Sequence, residues 1–435
     1  MLWLKIQPAR ESAWEDRVMT SSKIYGTSLF GFIIMAAAIF MPQAFAQPSE
    51  QDPGTRIMID LADLARPYAT PAKAAPSKRI DRPKNASIRV PKGFAAKLFA
   101  GGLKNARNMK VMANGDVLVA ESSAGAITLL RDADGDGKAE TVSMFAEGFN
   151  RPFGLDVFGG ALYIGDQVGV WRVPYALGDM KAQAKAKRIT PDGAFGKPGG
   201  HWTRNLAISP DGSKIYVAIG SAGNIEVEDD PRATVQVFNI DGSGQRTFAS
   251  GLRNPVGLGF YPGTSDLYTV VNERDGLGDE LVPDYLTKVR ADGFYGWPYS
   301  YMGSNPQPGF ADKRPDLVAA AIVPDVPFRS HSAPLGMTFY TADQFPATYK
   351  GGAFVALHGS WNAKEPRAYN VVYVPFENGE PAGSYIVFAS GFWLGGDDRA
   401  EVWGRPADVK VAQDGSLLIA DDVSSSVWRV VYTGK

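Results

Sequence analysis

The sequence predicts an all-β fold, a six-bladed β-propeller, and three observations support this prediction. From Ile88 onward, short apolar strands alternate with glycine and aspartate-glycine turns. No long stretch of this region has the periodicity of an amphipathic helix. A unit of two apolar strands joined by a glycine turn recurs six times, and its spacing of roughly 45 to 80 residues is typical of four-stranded blades with insertions. The units begin near residues 107, 151, 204, 254, 333 and 405.

A closed ring of blades needs a partner for its last strand, because an open sheet edge promotes aggregation. We expect Phe94 to Phe99, in GFAAKLFAGG, to supply that partner. Two closing strands also match each other, GVWRVPY at 169 and SVWRVVY at 426. A pair of β-sandwiches is the alternative architecture.

The N-terminal region predicts a secretory signal over residues 1–46. Lys23 precedes an apolar stretch from Leu29 to Phe40, and Ala44-Phe45-Ala46 gives the small-x-small pattern of a cleavage site. A membrane anchor is the alternative, but the run is shorter than the roughly 20 residues that a spanning helix needs. Residues 1–18 are an unusual extension for a signal, so Met19 is a candidate for the true start.

Composition divides the rest of the chain and limits its partners. Residues 47–89 are rich in Pro, Ala and Lys, which predicts an exposed arm or linker before a propeller domain at 90–435. The 45 basic and 46 acidic residues nearly cancel, which argues against nucleic acid or an anionic membrane as partner. The absence of cysteine excludes zinc-thiolate sites, iron-sulfur clusters and covalently attached haem. We expect a periplasmic or secreted protein without a stable membrane span in its mature form.

Polar residues lead each repeated unit, and in a propeller they would meet at one mouth of the central channel. They are Arg107, Asn108, Asn150, Arg151, His201, Arg253, Asn254, His331 and Arg405. Loops after the second strands fall on the same face and include Glu121, Asp166, Gln167, Ser221, residues 272–275, residues 358–362, Asp421 and Asp422. All three histidines of the chain therefore converge with several arginines. Such a cluster predicts a site for a polar, anionic ligand.

Two acidic stretches are candidates for metal binding. The loop NERDGLGDELVPDYL, residues 272–286, offers the carboxylate and carbonyl oxygens that calcium prefers, although a solvated acidic loop has the same composition. The run DADGDGKAE at 132–140 resembles the start of an EF-hand loop, but Ser143 stands where the bidentate Glu should be. We interpret this second run as a turn between outer strands.

A series of motifs carries a family resemblance over residues 88–432. They are HWTRNLAISPDG, GLRNPVGLGF, NERDGLGDELVPD, FYGWPY, APLGMTFY, HGSWN and GRPADVKVAQDGSLLIADD, in this order along the chain. Together they resemble the soluble dehydrogenases of sugars that depend on pyrroloquinoline quinone (PQQ), and most closely the L-sorbosone dehydrogenase-like branch.

The resemblance implies PQQ and Ca²⁺ in the channel mouth and oxidation of a sugar or related aldehyde or hydroxyl substrate by hydride transfer to the quinone. His201 takes the place of the general base, and Arg253 and Asn254 that of contacts to the cofactor and the reacting oxygen. Arg405 matches an arginine that binds cofactor carboxylates. We also expect cofactor contacts from the remaining members of the cluster, Arg107, Arg151, His331, His358 and Trp361.

The backbone carbonyls of Arg274 and Asp275 correspond to the calcium ligands of the family. A one-residue gap in the loop could shift this correspondence to Gly276. Electrons would leave to a separate acceptor, a cytochrome or a quinone.

The sequence also departs from the family pattern. Glucose-oxidising members pair their histidine with an aspartate, and Ser221 stands at that position, which leaves Asp166 or Asp211 as possible partners of His201. The family lysine against the cofactor has no clear equivalent, and His358, Lys364 and Arg367 are the candidates to replace it.

Two other classes of function fit the same fold. A calcium-dependent lactonase would hold its metal with carboxylate and amide side chains in the channel, for which Asn108, Asn254 and Asp408 are available. A non-catalytic propeller that binds a polymer or protein would need neither cofactor nor metal.

Overall fold

The structure, a computed structural model, describes residues 49–434, so the signal sequence predicted at 1–46 lies outside the described residues. Regular structure in this range is almost entirely β, as predicted. One α-helix, Pro315–Ala320, and four 3₁₀ helices, Ser49–Gln51, Leu61–Asp63, Ala311–Lys313 and Ala347–Tyr349, interrupt it. Within residues 49–434 no helix has both the length and the apolar character needed to cross a membrane.

The first half of the described chain forms three antiparallel sheets in succession. Three strands precede them, β1 (Arg56–Ile57), β2 (Lys78–Arg79) and β3 (Phe94–Ala100). Sheet 1 contains β4 (Ala106–Val111), β5 (Val117–Glu121), β6 (Ala126–Arg131) and β7 (Thr141–Glu147). Sheet 2 contains β8 (Gly154–Phe158), β9 (Ala161–Asp166), β10 (Gly169–Pro174) and β11 (Lys187–Arg188). Sheet 3 contains β12 (Leu206–Ile208), β13 (Lys214–Ile219), β14 (Thr234–Asn239) and β15 (Arg246–Ser250).

Three further sheets follow, separated by longer connections. Sheet 4 begins with β16 (Pro255–Phe260), β17 (Leu267–Val271) and β18 (Pro283–Lys288). The next connection carries β19 (Gly293–Phe294), which extends sheet 3, and a hairpin of β20 (Ser300–Tyr301) and β21 (Asn305–Pro306) before β22 (Val326–Ser330) completes sheet 4. Sheet 5 contains β23 (Pro334–Phe339), β24 (Ala353–Leu357) and β25 (Asn370–Val374), then, after a hairpin of β26 (Phe376–Glu377) and β27 (Glu380–Pro381), β28 (Tyr385–Ala389). Strands β29 (Trp393–Gly395) and β30 (Glu401–Val402) pair outside the main sheets, and sheet 6 contains β31 (Pro406–Val411), β32 (Leu417–Asp421) and β33 (Ser426–Tyr432).

The first strands of the sheets form a closed ring. Strands β4, β8, β12, β16, β23 and β31 contact each other in that order, and β31 contacts β4 again. Asp408 in β31 strengthens this last contact by accepting a hydrogen bond from the backbone N–H of Met109 in β4 (2.8 Å). As predicted, β3 completes sheet 6 by pairing antiparallel with β33, with Phe94 opposite Tyr432. The free edge of β33 is therefore covered by β3.

The recurrent glycine of the first strands is explained by the close approach of neighbouring sheets. A Cβ atom on Gly154 would lie 2.6 Å from the backbone oxygen of Arg204, and one on Gly257 would lie 2.7 Å from that of Leu335. Real Cβ atoms do not tolerate such distances to backbone atoms, so only glycine fits at these two positions.

Residues 49–89, within the segment predicted as an arm or linker, run along sheets 5 and 6, and many of their side chains are exposed. Strand β1 pairs with β28, and β2 pairs parallel with β30. The Gln51 side chain is buried and donates to the carbonyl of Ala368 (2.6 Å). The Arg82 guanidinium stacks on the rings of Trp403 and Trp428. Strand edges and the faces of two tryptophan rings supply the partners that the polar composition of this segment did not reveal.

Candidate active site

Most of the predicted site residues line one cavity of about 540 Å³. Its lining includes His201, Arg253, Asn254, His331, His358, Trp361 and Arg405, together with Asn224, Glu273, Asp275 and Asp284. Apart from Asp284, which lies at the start of β18, these residues precede first strands or follow second strands of sheets 3 to 6, so they lie on one face of the ring. The predicted convergence of the three histidines is confirmed.

An apolar layer separates this cavity from a second one at the opposite end of the ring. Asn254, directly before β16, lines the candidate site, and Leu258 in β16 lines the opposite cavity of about 470 Å³. Val256 between them packs against Phe153, Leu335 and Ala407.

The three residues considered for a lactonase metal do not converge. Asn108 lines the opposite cavity, where its amide donates to Asn205 (3.3 Å), and Asp408 is paired with Lys410 (2.6 Å). Only Asn254 lines the candidate site.

Arg107 and Arg151, which we expect to contact the cofactor, both pack on the ring of Trp202. Arg107 forms a buried ion pair with Asp422, and its guanidinium faces the ring of Trp202. Arg151 also stacks on Trp202, with its guanidinium carbon 3.9 Å from the ring centroid. Neither residue lines the cavity. Both arginines therefore support the wall, since Trp202 packs on the apolar layer beneath the site.

His331 is held as a cation. Its Nδ1 lies 3.1 Å from a carboxylate oxygen of Asp275, and its Nε2 lies 2.9 Å from the carbonyl oxygen of Gly278. Both oxygens can only accept, so both ring nitrogens carry a proton. Burial alone would lower the pKa of His331, but these two hydrogen bonds outweigh it and raise the pKa. A doubly bonded imidazolium cannot act as a base.

His358 has a carboxylate partner on one side of its ring. Its Nε2 lies 2.9 Å from Asp422, whose other oxygen pairs with Arg107. Burial, and then the charge of Arg405, lower the pKa of His358 to about 4. The ring is therefore neutral at neutral pH, and Nε2 carries the proton that Asp422 accepts.

His201 has no carboxylate partner among the residues that the structure describes. Its Nδ1 contacts both oxygens of Ser221, the hydroxyl at 2.9 Å and the carbonyl at 3.1 Å. Burial, and then the charge of Arg253, lower the pKa of His201 to about 3. The two aspartates considered as partners are engaged elsewhere: Asp166 accepts from the backbone of residues 150, 168 and 169, and Asp211 accepts from Ser209 and Ser213. His201 is thus a neutral imidazole at the cavity wall.

The two arginines of the cavity differ in how many donors they have left for a ligand. Arg253 donates four hydrogen bonds to neighbouring loops. The acceptors are the backbone carbonyls of Asn224, Asn272 and Glu273 and the side-chain oxygen of Asn224. Arg405 donates from Nε and Nη2 to the carbonyls of residues 358 and 359, while its Nη1 makes no hydrogen bond within residues 49–434. Arg405 therefore has the larger capacity to bind an anionic group.

The acidic loop forms one wall of the cavity. Glu273 and Asp284 are buried, and burial raises the pKa of both carboxyls to about 7. Asp284 accepts from the backbone N–H groups of residues 273 and 333 (both 2.7 Å). Arg274 does not line the cavity, and its Nε donates to the carbonyl of Asp275 (2.9 Å), which also accepts from Asn224 (2.9 Å). Of the two residues whose carbonyls we predict as calcium ligands, Asp275 lines the cavity together with Glu273 and Asp284.

The second acidic run lies between β6 and β7, as predicted. Its carboxylates, those of Asp132, Asp134, Asp136 and Glu140, lie close together, and Asp132 accepts from the backbone of Gly135 and Gly137.

Sequence reasoning missed the loop of residues 222–232, which supports both His201 and Arg253. Asn224 contacts Arg253 and Asp275, and the carboxylate of Glu228 accepts from the N–H groups of Ala222 and Gly223. The sequence AGNIEVEDDPR has the composition of an ordinary polar loop, and the residues that it contacts are distant in the chain. No local pattern marks these residues.

Sequence reasoning also missed that residues 68–75 brace the cavity. The N–H of Tyr68 donates to Leu277 (2.7 Å), the hydroxyl of Thr70 accepts from the N–H of Asp279 (2.8 Å), and the N–H of Ala75 donates to the carbonyl of Trp361 (2.6 Å). This segment therefore connects the acidic loop with the loop of Trp361.

A ring of antiparallel sheets with histidines, arginines and carboxylates at one mouth defines a β-propeller with a polar ligand site. The chain belongs to the TrAA12-like family, whose model matches residues 88–289 and 309–433. This match confirms the predicted relationship to soluble quinone-dependent sugar dehydrogenases, while assignment to the sorbosone branch stays a prediction.

Three relatives illustrate the similarity. A protein of Borreliella burgdorferi named only as uncharacterized is 26% identical over 360 residues, covering 80% of this chain and 91% of that protein. The pyrroloquinoline quinone-dependent pyranose dehydrogenase of Coprinopsis cinerea is 28% identical over 354 residues, which are 70% of this chain and 46% of that enzyme, so the chain spans about half of its length. The structure of the PQQ domain of the Coprinopsis cinerea pyranose dehydrogenase in its holo form has a TM-score of 0.68 and 20% identity, covering 81% of this chain and 98% of that domain.

Proposed function

We propose that this protein is a PQQ-dependent dehydrogenase that oxidises a sugar or related aldehyde, with His201 as general base. The observation that carries the proposal is the convergence of His201, Arg253 and Arg405 with an acidic wall on one cavity. The relationship to a pyranose dehydrogenase supports the same chemistry. The six sheets with cyclic first-strand contacts are, in this proposal, the blades of a six-bladed propeller at residues 90–435.

The residues of the cavity fit an anionic quinone. The side-chain oxygen of Asn254 is buried at the wall and has no hydrogen-bond partner within the described residues, and a ligand donor such as a ring N–H would satisfy it. Arg405 has donors available for a carboxylate, and Trp361, which is 49% exposed, offers a flat apolar face. His331 and His358 complete the polar lining that we assign to the cofactor.

The acidic wall fits a divalent cation. Glu273, Asp275 and Asp284 line the cavity, and carboxylate oxygens are among the donors that calcium prefers. The backbone carbonyls of Arg274 and Asp275 remain proposed calcium ligands. The Asp275 carbonyl oxygen already accepts hydrogen bonds from Asn224 and Arg274, so it would bind calcium in competition with these two donors. The metal would lie beside Arg253, and both charges would stabilise negative charge that develops during the reaction.

PQQ, when bound, supplies the carbonyl carbon that accepts the hydride. His201 accepts the proton of the substrate hydroxyl at Nε2, because Nδ1 is already bonded to Ser221. The substrate approaches through the open side of the cavity, beside Trp361. Arg253, positioned by Asn224 and the acidic loop, stabilises the oxygen at which charge develops.

The same proposal includes the location and partners of the protein. The predicted signal at residues 1–46 supports export to the periplasm or the exterior, with the segment from 47 to 89 between the signal and the propeller. Electrons would pass to a separate acceptor, a cytochrome or a quinone, since the chain has no cysteine for attaching haem.

The test combines cofactor binding with turnover. Purified protein is supplied with PQQ and calcium, the absorbance of bound quinone is recorded, and aldoses or aldehydes are then added with an artificial electron acceptor. We expect His201→Asn to bind the quinone as the wild type does and to lose turnover by about 10²- to 10⁴-fold, which is the usual contribution of a general base.

His358→Asn is the matched control, because it removes the other neutral imidazole of the cavity. Loss of turnover in this variant with full activity in His201→Asn would transfer the role of base to His358. Failure of the wild type to bind PQQ in the presence of calcium would contradict the proposed function itself.

A further inference from the structure

Hydrogen bonds around Ser221 determine which nitrogen of His201 carries the proton. The hydroxyl of Ser221 lies 2.7 Å from the carbonyl oxygen of Gly223, which can only accept, so the hydroxyl proton points to Gly223. The same hydroxyl must therefore accept from Nδ1 of His201 at 2.9 Å. The carbonyl of Ser221, 3.1 Å from Nδ1, is also an acceptor. Both contacts require a proton on Nδ1 and leave Nε2 as the basic nitrogen.

Ser221 is itself held rigidly. The residue is fully buried, and its backbone N–H donates to the carbonyl of Arg253 (2.8 Å) while its carbonyl also accepts the N–H of His201 (3.0 Å). Glu228 fixes the next two residues through their N–H groups. On the other side, Arg232 donates to the carbonyls of Gly199 and Gly220, the residues that flank the His201–Ser221 contact. The position of the hydroxyl is thus set by the backbone around it.

The charged groups that face this contact are mostly cationic. Arg204 donates to the carbonyl of His201 (2.7 Å), Arg253 follows from the next sheet, and Arg232 packs from the loop of residues 222–232. Glu228 is the carboxylate of that loop, and its oxygens are bonded to backbone N–H groups. Within residues 49–434 no carboxylate bonds to the His201 ring.

We propose that Ser221 is the positioning residue of His201, which fixes the Nδ1–H tautomer through two neutral acceptors and directs Nε2 to the substrate. This inference rests on the proposed function for the identity of the reaction. The geometry of the imidazole, however, can be tested without turnover. A neutral partner orients the ring as a carboxylate would, but it does not stabilise the imidazolium.

The first test measures the tautomer directly. With only three histidines in the chain, ¹⁵N NMR of imidazole-labelled protein without cofactor gives a short list of signals, which His331→Asn and His358→Asn assign. We expect the Nδ1–H form of His201 in the wild type. In Ser221→Ala only the backbone carbonyl of residue 221 remains as an acceptor, so we expect a smaller share of the Nδ1–H form. A wild-type ring protonated on Nε2 would overturn the proposal whether or not the protein oxidises sugars.

The second test measures pH profiles of the holoenzyme. Ser221→Ala should bind PQQ normally, lower kcat by about 10- to 100-fold, as loss of a histidine-orienting partner typically does, and leave KM nearly unchanged. Ser221→Thr keeps the hydroxyl and should restore most of kcat.

Ser221→Asp adds a carboxylate beside Nδ1–H and stabilises the imidazolium. Its kcat/KM should therefore fall at a higher pH than that of the wild type as the solution is acidified. Unchanged kcat in Ser221→Ala, or an acid limb that does not move in Ser221→Asp, would contradict the assignment.

Discussion

At the level of single residues, the three histidines of the cavity differ in protonation because their partners differ. His201 faces the neutral oxygens of Ser221, His331 faces a carboxylate and a carbonyl, and His358 faces a carboxylate that is already paired with an arginine. The sequence predicts that the three rings meet, because each has a fixed place beside a strand. It does not predict their protonation, since the decisive partners lie 20, 56 and 64 residues away in the chain. Each imidazole is therefore held by a different set of acceptors.

The ion pair of Arg107 and Asp422 gives a prediction for stability. Both side chains are buried, with 9% and 5% exposure. Asp422→Asn leaves the Arg107 charge without its partner, which should cost about 3 to 5 kcal/mol of unfolding free energy at pH 7. Urea unfolding followed by fluorescence measures the change. Asp343→Asn is the matched control, since the Asp343–Lys350 pair is exposed and its loss should leave the midpoint unchanged.

The same variant should have a characteristic pH dependence. Burial alone would raise the pKa of Asp422, but the facing His358 and Arg107 hold it well below its usual range. A carboxylate with a lowered pKa stabilises the folded state above its ordinary pKa, and this stabilisation is lost as the pH falls toward the lower value. The difference between wild type and Asp422→Asn should therefore narrow below about pH 4. A difference that grows on acidification would show that Asp422 is protonated in the folded protein.

At the level of strands and loops, regular repeats were predictable and irregular loops were not. The units around β8, β16 and β31 are recognisable in the sequence by alternating apolar residues and glycine turns. By contrast, the sequence of the acidic loop predicts many oxygen ligands but does not predict how they are arranged. Its carbonyls and carboxylates are oriented by Asn224 and Arg253 from other loops. Distant contacts of this kind leave no periodic signal in the sequence.

The glycines of the first strands provide a test of the packing between sheets. Gly257→Ala places a methyl group 2.7 Å from the backbone oxygen of Leu335 in sheet 5. Because a backbone atom cannot swing away, we expect a loss of about 1 to 3 kcal/mol in unfolding free energy, the usual cost of overpacking. Gly259→Ala in the same strand is the matched control, since nothing lies within 4 Å of its Cβ position. Equal stability of the two variants would mean that sheets 4 and 5 are not in close contact at β16.

At the level of the whole molecule, the requirement that the ring of sheets be closed predicted a strand pairing that no local sequence pattern indicates. The role of Phe94 to Phe99 followed from the need to pair the last sheet, and the structure shows β3 in that place. The packing of residues 49–89 did not follow from any such need. Strands β1 and β2 have two residues each, too few for a recognisable alternation. Their attachment depends on surfaces formed by residues more than 300 positions away, such as Ile386 and Glu401.

Truncation of the N-terminal side separates ring closure from the bracing segment. A chain that begins at Ser87 loses β1 and β2 but keeps β3, whereas one that begins at Gly101 also exposes the edge of β33. Phe94 in β3 further contacts the rings of Phe345 and Phe388, so its loss opens an apolar surface between sheets 5 and 6. An open edge beside an apolar surface pairs readily with a second chain. We therefore expect the shorter chain to form large aggregates in size-exclusion chromatography and the longer one to elute as a monomer with a cooperative thermal transition. If both chains were monomeric with the same midpoint, the pairing of β3 with β33 would not be what closes the ring.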